Sequence, residues 1–156
     1  MPVHPPNDMD SRNEIPVFGQ RALDCPYVVR PSAYALVRNA ENQIAVVRTS
    51  SGCFLPGGGI EDAEGPERAV EREALEECGL VLSVVRPVGR AVEIVHSAAE
   101  QTCFEKGSTF VEARLQTATS PREPGHELLW LTPSEAVSRL SHESHRWAVQ
   151  QFDTTA

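Results

Sequence analysis

The sequence predicts an α/β fold in which a mixed β-sheet is covered on both faces by helices. Three observations carry that prediction. Apolar and β-branched runs lie both before and after one central helical stretch. That stretch, residues 66–78, is bounded by Pro66 and Gly79. Two further helical stretches close the chain, and helices on both sides require a sheet buried on both faces.

Taken in order, residues 1–16 are rich in proline and polar side chains and read as a disordered or loosely attached start. Residues 17–156 read as one domain, with a short strand within Val17 to Cys25. Tyr27 to Arg38 and Gln43 to Arg48 are strand-like, and Asn39-Ala40-Glu41-Asn42 between them predicts a hairpin turn. Cys53-Phe54-Leu55 is a brief strand feeding the loop Pro56-Gly57-Gly58-Gly59-Ile60. Its glycines allow positive φ and close approach of backbone to a ligand.

Pro66 occupies the first helical position, where its missing N–H costs nothing, and Gly79 falls where helices end in a left-handed cap. In that phase Val70, Ala74, Leu75 and Cys78 make a buried stripe. Glu73, Glu76 and Glu77 stand at i, i+3 and i+4, so three carboxylates share one face. Each like-charge neighbour pair costs about 0.2–0.5 kcal/mol, which a divalent cation would remove. Hard, small Mg²⁺ prefers carboxylates, water and substrate phosphates.

Beyond the helix, Val81 to Val85 and Ala91 to Val95 read as two strands broken at Pro87 and Gly89. His96 to Gly107 reads as a polar loop of the kind that contacts substrate, and Thr109 to Leu115 as a strand. Gln116 to Gly125, with two prolines, is a surface connection, and His126 to Leu131 is a strand. Thr132-Pro133-Ser134-Glu135 is a capping-box helix start, running to about Leu140. A last helix beginning within Ser141 to Ser144 turns Trp147, Ala148 and Phe152 to the core.

Gly58, Glu64 six residues on, and Arg72-Glu73-Ala74-Leu75-Glu76-Glu77-Cys78-Gly79-Leu80 together resemble the complete signature of the Nudix hydrolases. The signature covers Gly58 to Leu80, and weaker resemblance to small bacterial members extends from about Phe18 to Phe152. The resemblance implies an α/β/α sandwich carrying a loop-helix-loop Nudix box. It implies Glu73 and Glu77 as metal ligands, Glu76 as a third ligand or a participant in activating water, Glu76 and Glu77 as needed for turnover, and the Gly57 carbonyl as completing a coordination sphere. Arg72 and Glu64 orient those ligands. Glu127, in a late strand segment resembling one whose glutamate approaches the metals, is a candidate catalytic residue and ligand. Lys106, Gly58 and Gly59 are candidate substrate contacts, weighed for Lys106 against a plain solvated lysine. The implied reaction is divalent-metal-dependent hydrolysis of a pyrophosphate bond by metal-activated water, with Mg²⁺ as cofactor and Mn²⁺ as substitute. The implied substrate is a nucleoside diphosphate linked to another moiety: a nucleoside triphosphate, nucleotide sugar or dinucleoside polyphosphate. Positions after the box lack the proline, tyrosine, coenzyme A and zinc-extension features of assigned subfamilies, so the compound is left open.

Composition bounds the alternatives. The chain has 156 residues, 40% hydrophobic and 23% charged, the size and balance of one folded domain. Its net charge is −8, and residues 61–77 hold eight acidic side chains against two arginines. An acidic chain without a basic stripe predicts small phosphorylated partners rather than polymeric nucleic acid. No apolar run is long enough to span a bilayer, which predicts no membrane association, and the start has no signal-peptide pattern. Cys25, Cys53, Cys78 and Cys103 show no CxxC spacing, an argument for a reducing cytoplasm and against zinc. A monomer or a homodimer fits equally. His142 and His145 are assigned to the polar face of the last helix, His96 is left without a role, and Tyr34, Phe54, Trp130 and Trp147 are assigned to the core. Two other readings remain: a catalytically weak Nudix-like nucleotide-binding module, and an isomerase using Cys53.

Overall fold

The computed structural model describes residues 14–22, 24–120 and 123–154. Among these described residues nine strands and three helices follow one another: β1 (Val17–Phe18), β2 (Tyr27–Val29), β3 (Ser32–Leu36), β4 (Ile44–Thr49), β5 (Gly52–Phe54), β6 (Gly57–Gly59), α1 (Pro66–Cys78), β7 (Leu80–Ser97), β8 (Thr102–Ala118), β9 (Glu127–Leu131), α2 (Pro133–Arg139) and α3 (Glu143–Thr154). The expectation of a disordered start falls largely outside the described residues.

A mixed sheet runs in the order β1-β7-β8-β3-β6, with β2 also pairing β8, and a small antiparallel sheet runs β5-β4-β9. β3 is the centre of the sandwich: all five of its residues are buried. Side chains alternate across a strand, so its two faces serve two different helix layers. Ala33 and Ala35 pack in one cluster with Ala69, Val70, Ala74 and Cys78 of α1. Tyr34 and Leu36 pack in the other with Ala136, Ala148, Val149 and Phe152 of α2 and α3. This is the α/β/α arrangement the sequence predicts. The helix signals also hold. Pro66 opens α1, Gly79 closes it in the left-handed conformation (φ 68°), and Thr132 and Glu135 form the reciprocal capping box of α2.

Several expectations need correction. The turn after Val37 forms, held by Asn39 Oδ1 accepting from the Glu41 and Gln43 amides, but the hairpin is only a stub, in which the Asn39 and Ala45 amides donate to the Gln43 and Val37 carbonyls. Beyond the single Arg38–Ile44 bridge, β3 and β4 enter different sheets. The glycine loop is instead strand β6, antiparallel to β3. Gly57 sits at φ 145°, and a Cβ there would stand 2.1 Å from the Ala33 carbonyl oxygen, so only glycine fits. The two strands predicted around Pro87 and Gly89 are one long strand, β7, whose register shifts at those residues instead of breaking. Pairing with β8 from Leu80–Ala118 to Ser97–Thr102 also absorbs the predicted polar loop, leaving only residues 98–101 as the connection.

The histidines are corrected as well. His145 is only 1% exposed; its Nδ1 accepts the Leu55 amide (3.1 Å), and burial holds its pKa well below the ordinary value. His142 instead donates from Nδ1 to Glu93 Oε2 (3.0 Å), whose other oxygen accepts the Ser144 amide (2.7 Å) at the start of α3. Glu93 thereby links β7 to the positive end of that helix. The cysteine reading also fails. Close spacing in sequence is not needed for pairing in space, and β2 lying along β8 brings Cys25 into a disulfide with Cys103, 78 residues away.

Burial opposes ionisation of Glu93, but the hydrogen bonds from His142 and Ser144 outweigh it and hold the carboxyl at about 2, below the ordinary 4.5. A depressed folded pKa stabilises above the unfolded value and loses that contribution as pH falls. We expect Glu93→Gln to cost about 1–3 kcal/mol at pH 7. In urea unfolding, the gap from wild type should shrink as pH drops from 4.5 toward 2; a gap constant with pH would contradict the assignment.

Candidate active site

The site grows from the contact between β6 and the acidic face of α1. Glu73 approaches β6 so closely that a Cβ on Gly58 would stand 3.0 Å from the Glu73 carboxyl carbon. Glu77, one turn on from Glu73, reaches further in and accepts the Gly57 amide at Oε1 (3.0 Å). Backbone and carboxylates are therefore brought together by a strand in which side chains are missing.

Arg72 organises the outer half. Its Nε and Nη2 grip both oxygens of Glu64 (2.8 and 2.9 Å), a bidentate fork. Its Nη1 reaches Glu73 Oε1 (3.0 Å) and Glu76 Oε2 (3.5 Å), and Nη2 also donates to the Gly59 carbonyl (3.2 Å). The guanidinium hydrogen bonds hold Glu64 at about 2, far below the usual carboxylate range. One cation thus ties the strand, the following loop and two of the three face carboxylates. Gly59 contributes its carbonyl, and a side chain there would meet open space.

The inner half has no such compensation. Burial is the largest influence on Glu77; despite the Gly57 amide, and with Glu73, Glu123 and Glu76 nearby, its carboxyl is pushed up to about 8. Glu73 is raised too, again chiefly by burial, although Arg72 opposes it. A buried hard-oxygen cluster with more negative charge than its one arginine neutralises fits a divalent cation. Glu73, Glu76 and Glu77 are the residues that would hold it.

Two neighbours went unread in the sequence. Glu123, in the connection before β9, donates its amide to the Glu76 carbonyl (3.1 Å) and adds its negative charge to the field on Glu73 and Glu77. His126 Nε2 lies 3.4 Å from Glu123 Oε2 and 3.9 Å from Glu77 Oε2. No local pattern marks Glu123, which lies in a proline-flanked connection. Glu127 is one residue from the position the site uses. Neighbouring side chains in an extended chain point to opposite sides, so with His126 facing the box, Glu127 pairs outward with Arg48 across β4 and β9 and is 53% exposed. The structure does not bring Glu127 to the carboxylate cluster.

A cavity of about 460 Å³ opens beside Glu77 and Gly57, lined also by Tyr34, Phe54, Lys106, His126 and His142. Lys106 is half-buried, and that burial lowers its pKa. Phe54 and His142 rings lie 5.2 Å apart on its wall. Phe54 thus borders the cavity, while Tyr34 keeps the core place the sequence assigns it.

A mixed sheet between two helical layers thus carries a glycine strand set against an arginine-braced carboxylate helix. A family model described as NUDIX domain matches residues 28–152. The chain belongs to the Nudix family and is a Nudix hydrolase. Solved structures agree with its fold. A Nudix hydrolase from Nitrosomonas europaea is similar at TM-score 0.68 and 14% identity, over 82% of this chain and 90% of that one. The E. coli dihydroneopterin triphosphate pyrophosphohydrolase is similar at TM-score 0.65 and 16% identity, over 83% and 99%. A MutT Nudix hydrolase from Burkholderia pseudomallei is similar at TM-score 0.56 and 25% identity, over 80% and 98%.

With a folded pKa of about 8 against the ordinary 4.5, Glu77 keeps a proton that the unfolded chain has lost between those values. Stability of the cation-free protein therefore falls as pH rises through that window. Glu77→Gln removes this loss, and in chelator-treated protein at pH 9 the variant should be about 1–2 kcal/mol more stable than wild type. Urea unfolding at pH 5 and pH 9 checks it; a variant less stable than wild type at pH 9 would refute an uncompensated buried carboxyl.

Proposed function

We propose that this hydrolase cleaves a pyrophosphate bond in a small nucleoside-diphosphate compound and depends on a divalent cation, Mg²⁺ or in its place Mn²⁺. The observation that carries the reading is the adjacency of the carboxylate cluster to a cavity with one half-buried lysine and an aromatic wall. A half-buried lysine on a cavity wall, with no carboxylate hydrogen-bonded to it among the described residues, favours an anionic occupant. The aromatic side is suited to a nucleobase or similar ring.

In this reading Glu73, Glu76, Glu77 and Glu123 hold the cation, with the Gly57 carbonyl as a further oxygen donor. When bound, the cation offsets phosphoryl charge and makes water a better nucleophile. Arg72, pinned by Glu64, keeps Glu73 and Glu76 in place. Lys106 binds a phosphate oxygen and orients the anhydride. His126, between Glu77 and Glu123, accepts or holds a proton at Nε2 beside the reacting groups. Glu127 takes no part, and the backbone of Gly58 and Gly59 borders the phosphates.

The similar structures whose printed names specify a substrate do not choose one for this chain at such low identity. Small phosphorylated compounds and a monomeric or dimeric state without nucleic-acid or membrane partners remain part of the proposal; a place in the cytoplasm belongs to it with Cys25 and Cys103 in their reduced form. All the box glutamates are present, which favours turnover over the weak binding-module reading. Cys53 packs among Leu36, Leu55 and Leu140 in the core, away from the cavity wall, which disfavours the isomerase.

The test is a panel of nucleoside di- and triphosphates, nucleotide sugars and dinucleoside polyphosphates, with phosphate and pyrophosphate release measured with and without Mg²⁺. We expect turnover of at least one class only with the cation; inactivity across the panel would favour the binding module. For the accepted substrate, Lys106→Ala should raise KM about tenfold or more with a smaller change in kcat. An unchanged KM would remove Lys106 from the site.

A further inference from the structure

Away from the carboxylate site, β2 and the tip of the β7–β8 hairpin bring Cys25, His96 and Cys103 together, their ligand atoms all within 4.8 Å of one another. His96 and Cys103 face each other across the hairpin. Cys25 arrives from the segment before β2, where the Cys103 amide donates to the Pro26 carbonyl (3.1 Å). The imidazole is held at both nitrogens. Nε2 lies 3.0 Å from the Gln20 carbonyl, which can only accept, so Nε2 carries the hydrogen. Nδ1 therefore presents its lone pair, and it does so to Cys103 Sγ at 2.9 Å.

In the disulfide, that sulfur has no hydrogen to offer. Two acceptors face each other, an arrangement completed only by a proton or a metal ion once the sulfurs are reduced. A carbonyl fixing the far nitrogen is also the outer support common to metal-ligating histidines. The two cysteine Cα atoms are 5.9 Å apart, so rotation about the side-chain bonds separates the sulfurs within the same backbone. A tetrahedral zinc site needs ligand separations of about 3.5–3.8 Å, inside the observed cluster. His96 is exposed, which leaves water access for a fourth position.

We propose that, in its reduced state, the trio Cys25, His96 and Cys103 binds a thiolate-preferring divalent ion of the zinc class. Two sulfurs and an imidazole suit zinc, whereas the all-carboxylate box suits magnesium, so the chain sorts the two ions by ligand softness. A thiol or phosphine reductant supplies two electrons, and two protons are taken up as the S–S bond breaks. Ion binding then displaces both thiol protons and leaves thiolates.

Cobalt(II) distinguishes this site from the box, because sulfur-to-cobalt charge transfer absorbs in the near ultraviolet and carboxylate ligation does not. Full-length protein is reduced with a phosphine, stripped of metal under inert gas and titrated with Co²⁺. We expect a thiolate–cobalt band saturating at a single equivalent and displaced by Zn²⁺. The band should be retained in Cys53→Ser and Glu77→Gln, lost in Cys25→Ser, and reached only at about tenfold or more higher Co²⁺ in His96→Ala. Absence of the band from reduced wild type would overturn the proposal. So would its persistence in Cys25→Ser, its loss in Cys53→Ser, or equal affinity in His96→Ala.

Discussion

Arg72 is a single guanidinium asked to neutralise several carboxylates, and the architecture around it follows from where its reach ends. It satisfies Glu64 with a two-pronged bond and extends to Glu73 and Glu76. Glu77, one turn on from Glu73, makes no hydrogen bond to Arg72 among those described and leans on the Gly57 amide instead. The consequence is a gradient from the loop into the helix, strongly ionised at Glu64 and resistant to ionisation at Glu77, within one stretch of chain. A stability-driven design would not bury such a carboxyl, and the imbalance is what the proposed doubly charged ion would offset.

The glycine strand is the other half of that constraint. β6 lies against β3 on one side, with Gly57 under the Ala33 carbonyl, and against Glu73 on the other, with Gly58 under the carboxylate. A side chain at Gly57 would press β6 off β3, and one at Gly58 would displace the Glu73 carboxylate. The small residues of β3 facing α1, Ala33 and Ala35, keep the same separation short from the opposite direction. Close packing and the chemistry of the site therefore have one cause, the thinness of the layer between β3 and α1.

Much of this was legible in the sequence because its signals are local. Pro66, Gly79 and the capping box of Thr132 and Glu135 each act within a few residues, and they mark the helices where the structure has them. The acidic face and its arginine are likewise set by helical spacing. What was not legible depends on contacts distant along the chain. Pro87 and Gly89 look like strand breakers, yet pairing with Val111 and Phe110 carries β7 through them. Glu123 has no motif and gains meaning only because its connection folds back onto Glu76. His126 and Glu127 differ by one position, and only the Arg48 partner across the small sheet shows which faces the box. The Cys25–Cys103 pair is invisible to spacing for the same reason.

The central claim is that the uncompensated inner carboxylates, and not Glu127, form the cation site. Binding of Mn²⁺, followed through the paramagnetic resonance signal of the free ion, tests it most directly. Wild type and Glu127→Gln should take up Mn²⁺ alike, while Glu77→Gln and Glu123→Gln should bind it at least about tenfold more weakly. Undiminished binding by Glu77→Gln, or its loss in Glu127→Gln alone, would contradict the account.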